Sequence, residues 1–176
     1  MNIANKVTMV RLVMIPIFVI AFYIYGTSYN IAAILFMVAS LTDALDGHLA
    51  RSRNLITNFG KFVDPLVDKV LTMAAFIVLV EANVIPAWAV IIIISREFII
   101  TGFRTLAADM GITIAASMWG KAKTTSQMIS LVLLLLHNDV LNKFGIYVFY
   151  VAVILTVISG LDYIIKNKKV LDLENI

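Results

Sequence analysis

Four aspartates, Asp43, Asp46, Asp64 and Asp68, interrupt stretches that are otherwise apolar. Near the centre of a bilayer each would cost about 3 kcal/mol on insertion scales, so their presence calls for a chemical reason. The first two are three residues apart and the second two four apart, spacings that place each pair on one helix face. Gly47 and Ala50 beside the first pair, and Gly60 a turn before the second, would let two such helices approach closely. Facing pairs would form an oxygen-rich pocket of the kind Mg²⁺ or Mn²⁺ prefers, and four carboxylates suit two ions better than one. Two metals about 4 Å apart can clamp the attacking and leaving oxygens of a displacement at phosphorus. Asp68, on the face of Asp64, could ligate an ion or take a proton. The same groups could also carry protons or ions across a membrane, or serve as structural partners for Arg and Lys. Spacing alone leaves these uses open.

The elements that must hold these residues follow from composition. Of 176 residues, 61% are apolar and 14% charged, against about 25% charged in a soluble domain. Mean hydropathy is +0.97. Apolar runs broken by polar and turn residues predict six membrane helices, near 7–26, 31–51, 60–81, 85–107, 118–137 and 144–165. That leaves room for a single all-α membrane domain over 1–176 and no separate soluble one. Pro65 removes a backbone donor beside Asp64, so a helix should start or bend there. The absence of cysteine excludes disulfides, thiolate metal sites and a Cys nucleophile. Lys6 and Arg11 before an apolar run resemble a signal peptide, but no small-residue cleavage pattern follows, so the run reads as the first membrane helix.

Of the 14 Lys and Arg residues, Lys143 alone falls among the connections at 26–30, 81–86 and 137–143. The others lie at the N-terminus, at the alternate connections and tail, or in helix ends facing them. By the positive-inside rule that side, with both termini, is cytoplasmic, and its cations would attract anionic membrane lipids. A bacterial inner membrane is the expected location, and no nucleic-acid partner is expected.

Written out, Asp43-x2-Asp46-Gly47-x2-Ala50-Arg51-x8-Gly60-x3-Asp64-x3-Asp68 resembles the complete signature of the CDP-alcohol phosphotransferases, with eight fixed residues over 26 positions. The resemblance covers essentially the whole chain. It implies an integral membrane enzyme, usually a homodimer, that moves a phosphatidyl or similar group from a CDP-linked donor to an alcohol and releases CMP. Carried over by position, Asp43, Asp46 and Asp64 would hold one metal and Asp43, Asp64 and Asp68 the second, with Asp68 also the catalytic base. Gly47 would admit the nucleotide to the helix backbone, and Arg51 and Thr57 would bind the CDP moiety. Asn5, Thr8 and Arg11 resemble the family's N-terminal donor-facing element, although Ala4 stands where a proline often precedes that Asn.

The signature leaves the acceptor open. Ser95-Arg96-Glu97-Phe98, Gly102-Phe103-Arg104 and Gly120-Lys121-Ala122-Lys123-Thr124-Thr125 resemble the phosphatidylglycerophosphate synthase branch. That implies CDP-diacylglycerol as donor and glycerol 3-phosphate as acceptor, with other alcohols of the same chemistry, or transport, as the alternatives. A phosphorylated acceptor needs a cationic cradle, and Arg96, Arg104 and Lys121 are the expected members. Lys121 at a helix start would add backbone donors and the positive end of the helix dipole. Glu97 should orient Arg96 or a cation from another helix, since Arg104 lies about 10.5 Å further along the axis. Lys123 reads equally well as a topology determinant.

Overall fold

The computed structural model describes residues 3–27, 29–52, 58–112, 114–115 and 117–167, and side chains at 9–27, 29–42, 66–67, 69–112, 114–115 and 117–167. The described chain is all-α. Its six helices are α1 (Ile3–Tyr25), α2 (Ile31–Ser52), α3 (Asn58–Glu81), α4 (Ala87–Asp109), α5 (Met118–Leu135) and α6 (Asp139–Lys166).

Local chemistry sets the helix ends. Gly26, at φ +58°, closes α1 with its amide donating to Phe22 O at 2.7 Å, a left-handed cap that suits glycine. Asn30 and Asn83 also turn through positive φ, which asparagine tolerates better than most residues. Ser117 caps α5 by accepting from the Gly120 amide at 3.1 Å, and Asn138 caps α6 by accepting from Val140 and Leu141, each at 3.0 Å. That cap explains why α6 starts at Asp139 rather than near 144. An acidic residue favours a helix N-terminus, so the polar stretch 139–143 extends the apolar run instead of forming a loop. α3 likewise begins at Asn58, which places Pro65 inside the helix rather than at its start.

α5 and α6 pack most extensively, α1 lies against α2 and α3, and α4 lies against α6 and α3. Phe18, Phe36, Phe76 and Phe149 are fully buried at the core. Phe18 meets Phe36, and Phe76 meets Phe149, at ring-centroid distances of 5.9 Å.

The outside of this bundle is as apolar as its inside. Val13, Ile20, Ile91, Phe98, Tyr147 and Ile154 are exposed, whereas Arg11, Lys123, Gln127, Ser130, Thr156 and Ser159 are buried. Water-soluble monomers rarely present so continuous an apolar exterior. Among the described residues, α6 is long and apolar enough to cross a membrane on length and composition, and Met9–Tyr25 and Ile31–Thr42 are shorter apolar stretches. α4 and α5 are less apolar because they carry Arg96, Glu97, Arg104, Lys121 and Lys123.

Candidate active site

α3, α4 and α5, with Ser40 of α2 and Tyr163 of α6, enclose a cavity of about 850 Å³. It lies against the middle of α3 and of α4 and the first half of α5. Arg96, Arg104 and Lys121, the three residues expected to cradle an acceptor phosphate, all line it. Lys69 and Lys123 line it too, so five cations surround the space, and Glu97 is the only carboxylate among the described lining residues.

Helix α4 supplies the organising pair. Arg96 Nη1 donates to Glu97 Oε1 at 3.1 Å, and Lys123 Nζ donates to the same oxygen from α5. Glu97 thus does both things expected of it, engaging Arg96 and a cation from another helix, and it is not paired with Arg104. The Lys123 side chain is only 4% exposed, so a role confined to topology is overturned for this lysine: a buried ammonium requires a partner.

Arg104 is held differently. Its Nε donates to the Tyr163 hydroxyl at 3.0 Å, and its guanidinium carbon lies 5.4 Å from the centre of that ring. Phe103 meets the same ring edge-on at 5.7 Å. Tyr163 therefore occupies Nε and leaves the two terminal nitrogens of Arg104, a fork suited to phosphate oxygens.

Lys121 sits in the first turn of α5, its amide donating to Ser117 O at 3.1 Å. Two lysines near a helix N-terminus oppose the helix dipole, an arrangement that a bound anion would relieve. Lys69 of α3 donates to Thr101 Oγ1, which in turn donates to Glu97 O at 2.6 Å. Sequence reasoning missed Lys69 and Tyr163. A cation beside Asp68 inside an apolar run was a usable signal for Lys69, whereas nothing in the spacing joins Tyr163 to Arg104, 59 residues away.

The donor and metal side is defined by helix placement. Asp43, Asp46, Gly47 and Arg51 fall within α2, Asp64 and Asp68 within α3, and Asn5 and Thr8 within α1; their side chains lie outside the described residues, as does Thr57 altogether. α2 and α3 touch one another. Ser40, three residues before Asp43, and Lys69, next after Asp68, both face the cavity, so the aspartate-bearing segments border it. Arg11, the one expected donor-binding residue with a described side chain, is 2% exposed within the bundle. Among the described residues no group of three or more His, Cys, Asp or Glu side chains comes together. An all-carboxylate donor set on two touching helices fits a hard divalent cation by its chemistry.

Of the remaining polar residues, Asp162 and Lys166 form an i,i+4 ion pair of 2.7 Å at the surface. The His137 amide donates to the Asn30 side chain away from the cavity.

The chain is similar to known proteins over nearly its whole length. The chain is 46% identical over 99% of both lengths to the CDP-diacylglycerol–glycerol-3-phosphate 3-phosphatidyltransferase of Bacillus subtilis (strain 168). It is 43% identical to the Haemophilus influenzae protein of that name, over 93% of this chain and 91% of the relative. With the Rickettsia felis protein of that name it shares 34% over 96% of each. Residues 1–158 match the family described as CDP-alcohol phosphatidyltransferase, and the chain belongs to that family.

Proposed function

We propose that this chain is a CDP-diacylglycerol-dependent phosphatidyltransferase that joins its donor to sn-glycerol 3-phosphate, giving phosphatidylglycerophosphate and CMP for anionic phospholipid synthesis. The observation that carries this reading is the cavity in which Arg96, Arg104 and Lys121 meet. Two guanidiniums and an ammonium lining one space suit the phosphate of a small acceptor. Relatives that match nearly the whole chain bear the name of this reaction.

In the reaction, the free primary hydroxyl of glycerol 3-phosphate forms a bond to the phosphorus that carries diacylglycerol. The bond from that phosphorus to the oxygen shared with the cytidylyl phosphate breaks, and CMP leaves with that oxygen and its electrons. Asp68 takes the hydroxyl proton. Arg104 and Lys121 bind the acceptor's phosphate from α4 and α5, Arg96 completes the cradle, and Tyr163 and Glu97 keep the two guanidiniums in place. Asn5, Thr8, Arg11, Gly47, Arg51 and Thr57 hold the CDP moiety.

Family membership implies a divalent-cation-dependent reaction. We assign two ions, Mg²⁺ or Mn²⁺, one to Asp43, Asp46 and Asp64 and the other to Asp43, Asp64 and Asp68. When bound, they supply neutralising charge to the pyrophosphate oxygens.

All six helices cross the membrane in this reading, both termini are cytoplasmic, residues 1–176 form one domain, and the working unit is a homodimer in a bacterial cell membrane. Supporting the membrane assignment are the apolar exterior and the charged and polar residues, Arg11, Lys123, Gln127 and Thr156 among them, that are buried instead of exposed. Polar chemistry at membrane depth is tolerated where it lines a cavity. The lipid donor enters sideways between helices and the polar acceptor arrives from water, at a site that opens near the cytoplasmic leaflet.

The test is a competition among alcohols. Purified protein with CDP-diacylglycerol and Mg²⁺ is offered glycerol 3-phosphate, inositol phosphate, serine and phosphatidylglycerol together, and the lipid product is identified by mass. Phosphatidylglycerophosphate as the dominant product supports the proposal; another phosphatidyl product reassigns the acceptor.

A further inference from the structure

The stem of Arg96 lies against a place where a side chain is missing. A Cβ built on Gly160 of α6 would stand 3.3 Å from Arg96 Cγ, closer than such contacts ordinarily come. At the other end, a Cβ on Gly120 of α5 would stand 3.9 Å from Arg96 Nη2, an ordinary contact distance. The side chain is thus threaded from α4 past α6 to the first turn of α5, where Lys121 is the next residue after Gly120. Glu97 supplies the third constraint, accepting from Nη1 at 3.1 Å.

Gly160 has no backbone reason to be glycine. It is buried inside the long helix α6 and is not at a positive φ, and glycine is among the poorest residues for a helix interior. What its missing side chain does provide is room, and Arg96 fills it.

We infer that Gly160 is a positioning residue for the acceptor site: by carrying no side chain it lets Arg96 lie flat on α6, so that the guanidinium reaches the start of α5. This rests on the reading of Arg96 as an acceptor-phosphate ligand. A methyl group at 160 would push Cγ by a few tenths of an ångström, and the three bonds beyond Cγ carry that shift to the guanidinium. The chemistry at α2 and α3 is untouched.

The test is a double-mutant cycle on the full-length protein in detergent, using Gly160→Ala, Arg96→Ala and the pair. For each, KM values for glycerol 3-phosphate and for CDP-diacylglycerol and the thermal unfolding midpoint are measured. Misplacement of a binding group by about 1 Å can cost about 100-fold, so Gly160→Ala should raise the glycerol 3-phosphate KM by about threefold to tenfold. The donor KM should stay within about twofold of wild type on the same grounds, and the midpoint should be unchanged or higher, because alanine is the better helix former. In the Arg96→Ala background the same substitution should add nothing.

An unchanged acceptor KM in Gly160→Ala, with a raised one in Arg96→Ala, overturns the inference while leaving the acceptor reading intact. An effect that persists without Arg96, that falls equally on both substrates, or that comes with a lowered midpoint also overturns it. If Arg96→Ala leaves the acceptor KM at the wild-type value, the acceptor role of Arg96 fails and the inference with it.

Discussion

Two regions of the bundle follow opposite rules. At the aromatic core, Phe18, Phe36, Phe76 and Phe149 are fully buried, their rings paired with one another and carrying no polar group to satisfy. Around the cavity, Lys69, Arg96, Arg104, Lys121 and Lys123 gather with Glu97, two of these cations stand near the unfavourable end of α5, and among the described residues Arg96 Nε is buried without a hydrogen-bond partner. A region selected for stability alone would not be built this way. The first region fixes the bundle, and the second gathers charged groups whose arrangement suits an anionic substrate.

Substitutions can sharpen that contrast. The largest effect is expected at Asp68, where removal of a general base typically costs about 100- to 10,000-fold. Asp68→Asn should lose CMP release to that extent while binding CDP-diacylglycerol within a few-fold of wild type; near-normal turnover would remove Asp68 from its proposed role.

On the core side, Phe18→Ala should lower stability by about 3 kcal/mol, the lower end of the usual range because lipid supplies little of the transfer term. Its readout is the denaturation midpoint in detergent. Both KM values should stay put, and a selective change in either would mean that the two regions are not separable.

On the cavity side the pattern should reverse. Arg104→Ala removes charged hydrogen bonds of about 1.5–3 kcal/mol, which should appear as a rise of about 10- to 100-fold in the glycerol 3-phosphate KM with little change in the donor KM or in stability. Equal changes for both substrates would count against its placement on the acceptor side. The smallest effect belongs to Tyr163→Phe, which keeps the ring over Arg104 but loses the acceptor for Nε, worth about 0.5–1.5 kcal/mol. A rise of about two- to tenfold in the acceptor KM alone is expected.

The contrast also explains which features were legible in the sequence. The six helices were, because apolar runs end at Gly26, Asn30, Pro86 and Asn138, residues that turn or cap the chain. Helix starts were less so: the opening of α6 is polar, and hydrophobicity alone places it too late. Arg96 and Glu97 stood out because charges within an apolar run need partners. Lys123 did not, since whether a lysine near a helix start faces water or α4 depends on how α5 is rotated against it, a contact 26 residues long-range. Tyr163 and Gly160 were invisible for the same reason, being ordinary residues of an apolar helix until α6 is packed against α4.

The central claim is that the cation-lined cavity and the aspartate-bearing helices serve one transfer reaction. Its most direct test is CMP release by purified protein given CDP-diacylglycerol and Mg²⁺, with and without glycerol 3-phosphate. The account predicts release that depends on glycerol 3-phosphate and stops when the metal is chelated. CMP release that ignores the acceptor, or none despite demonstrated binding of both substrates, would contradict it.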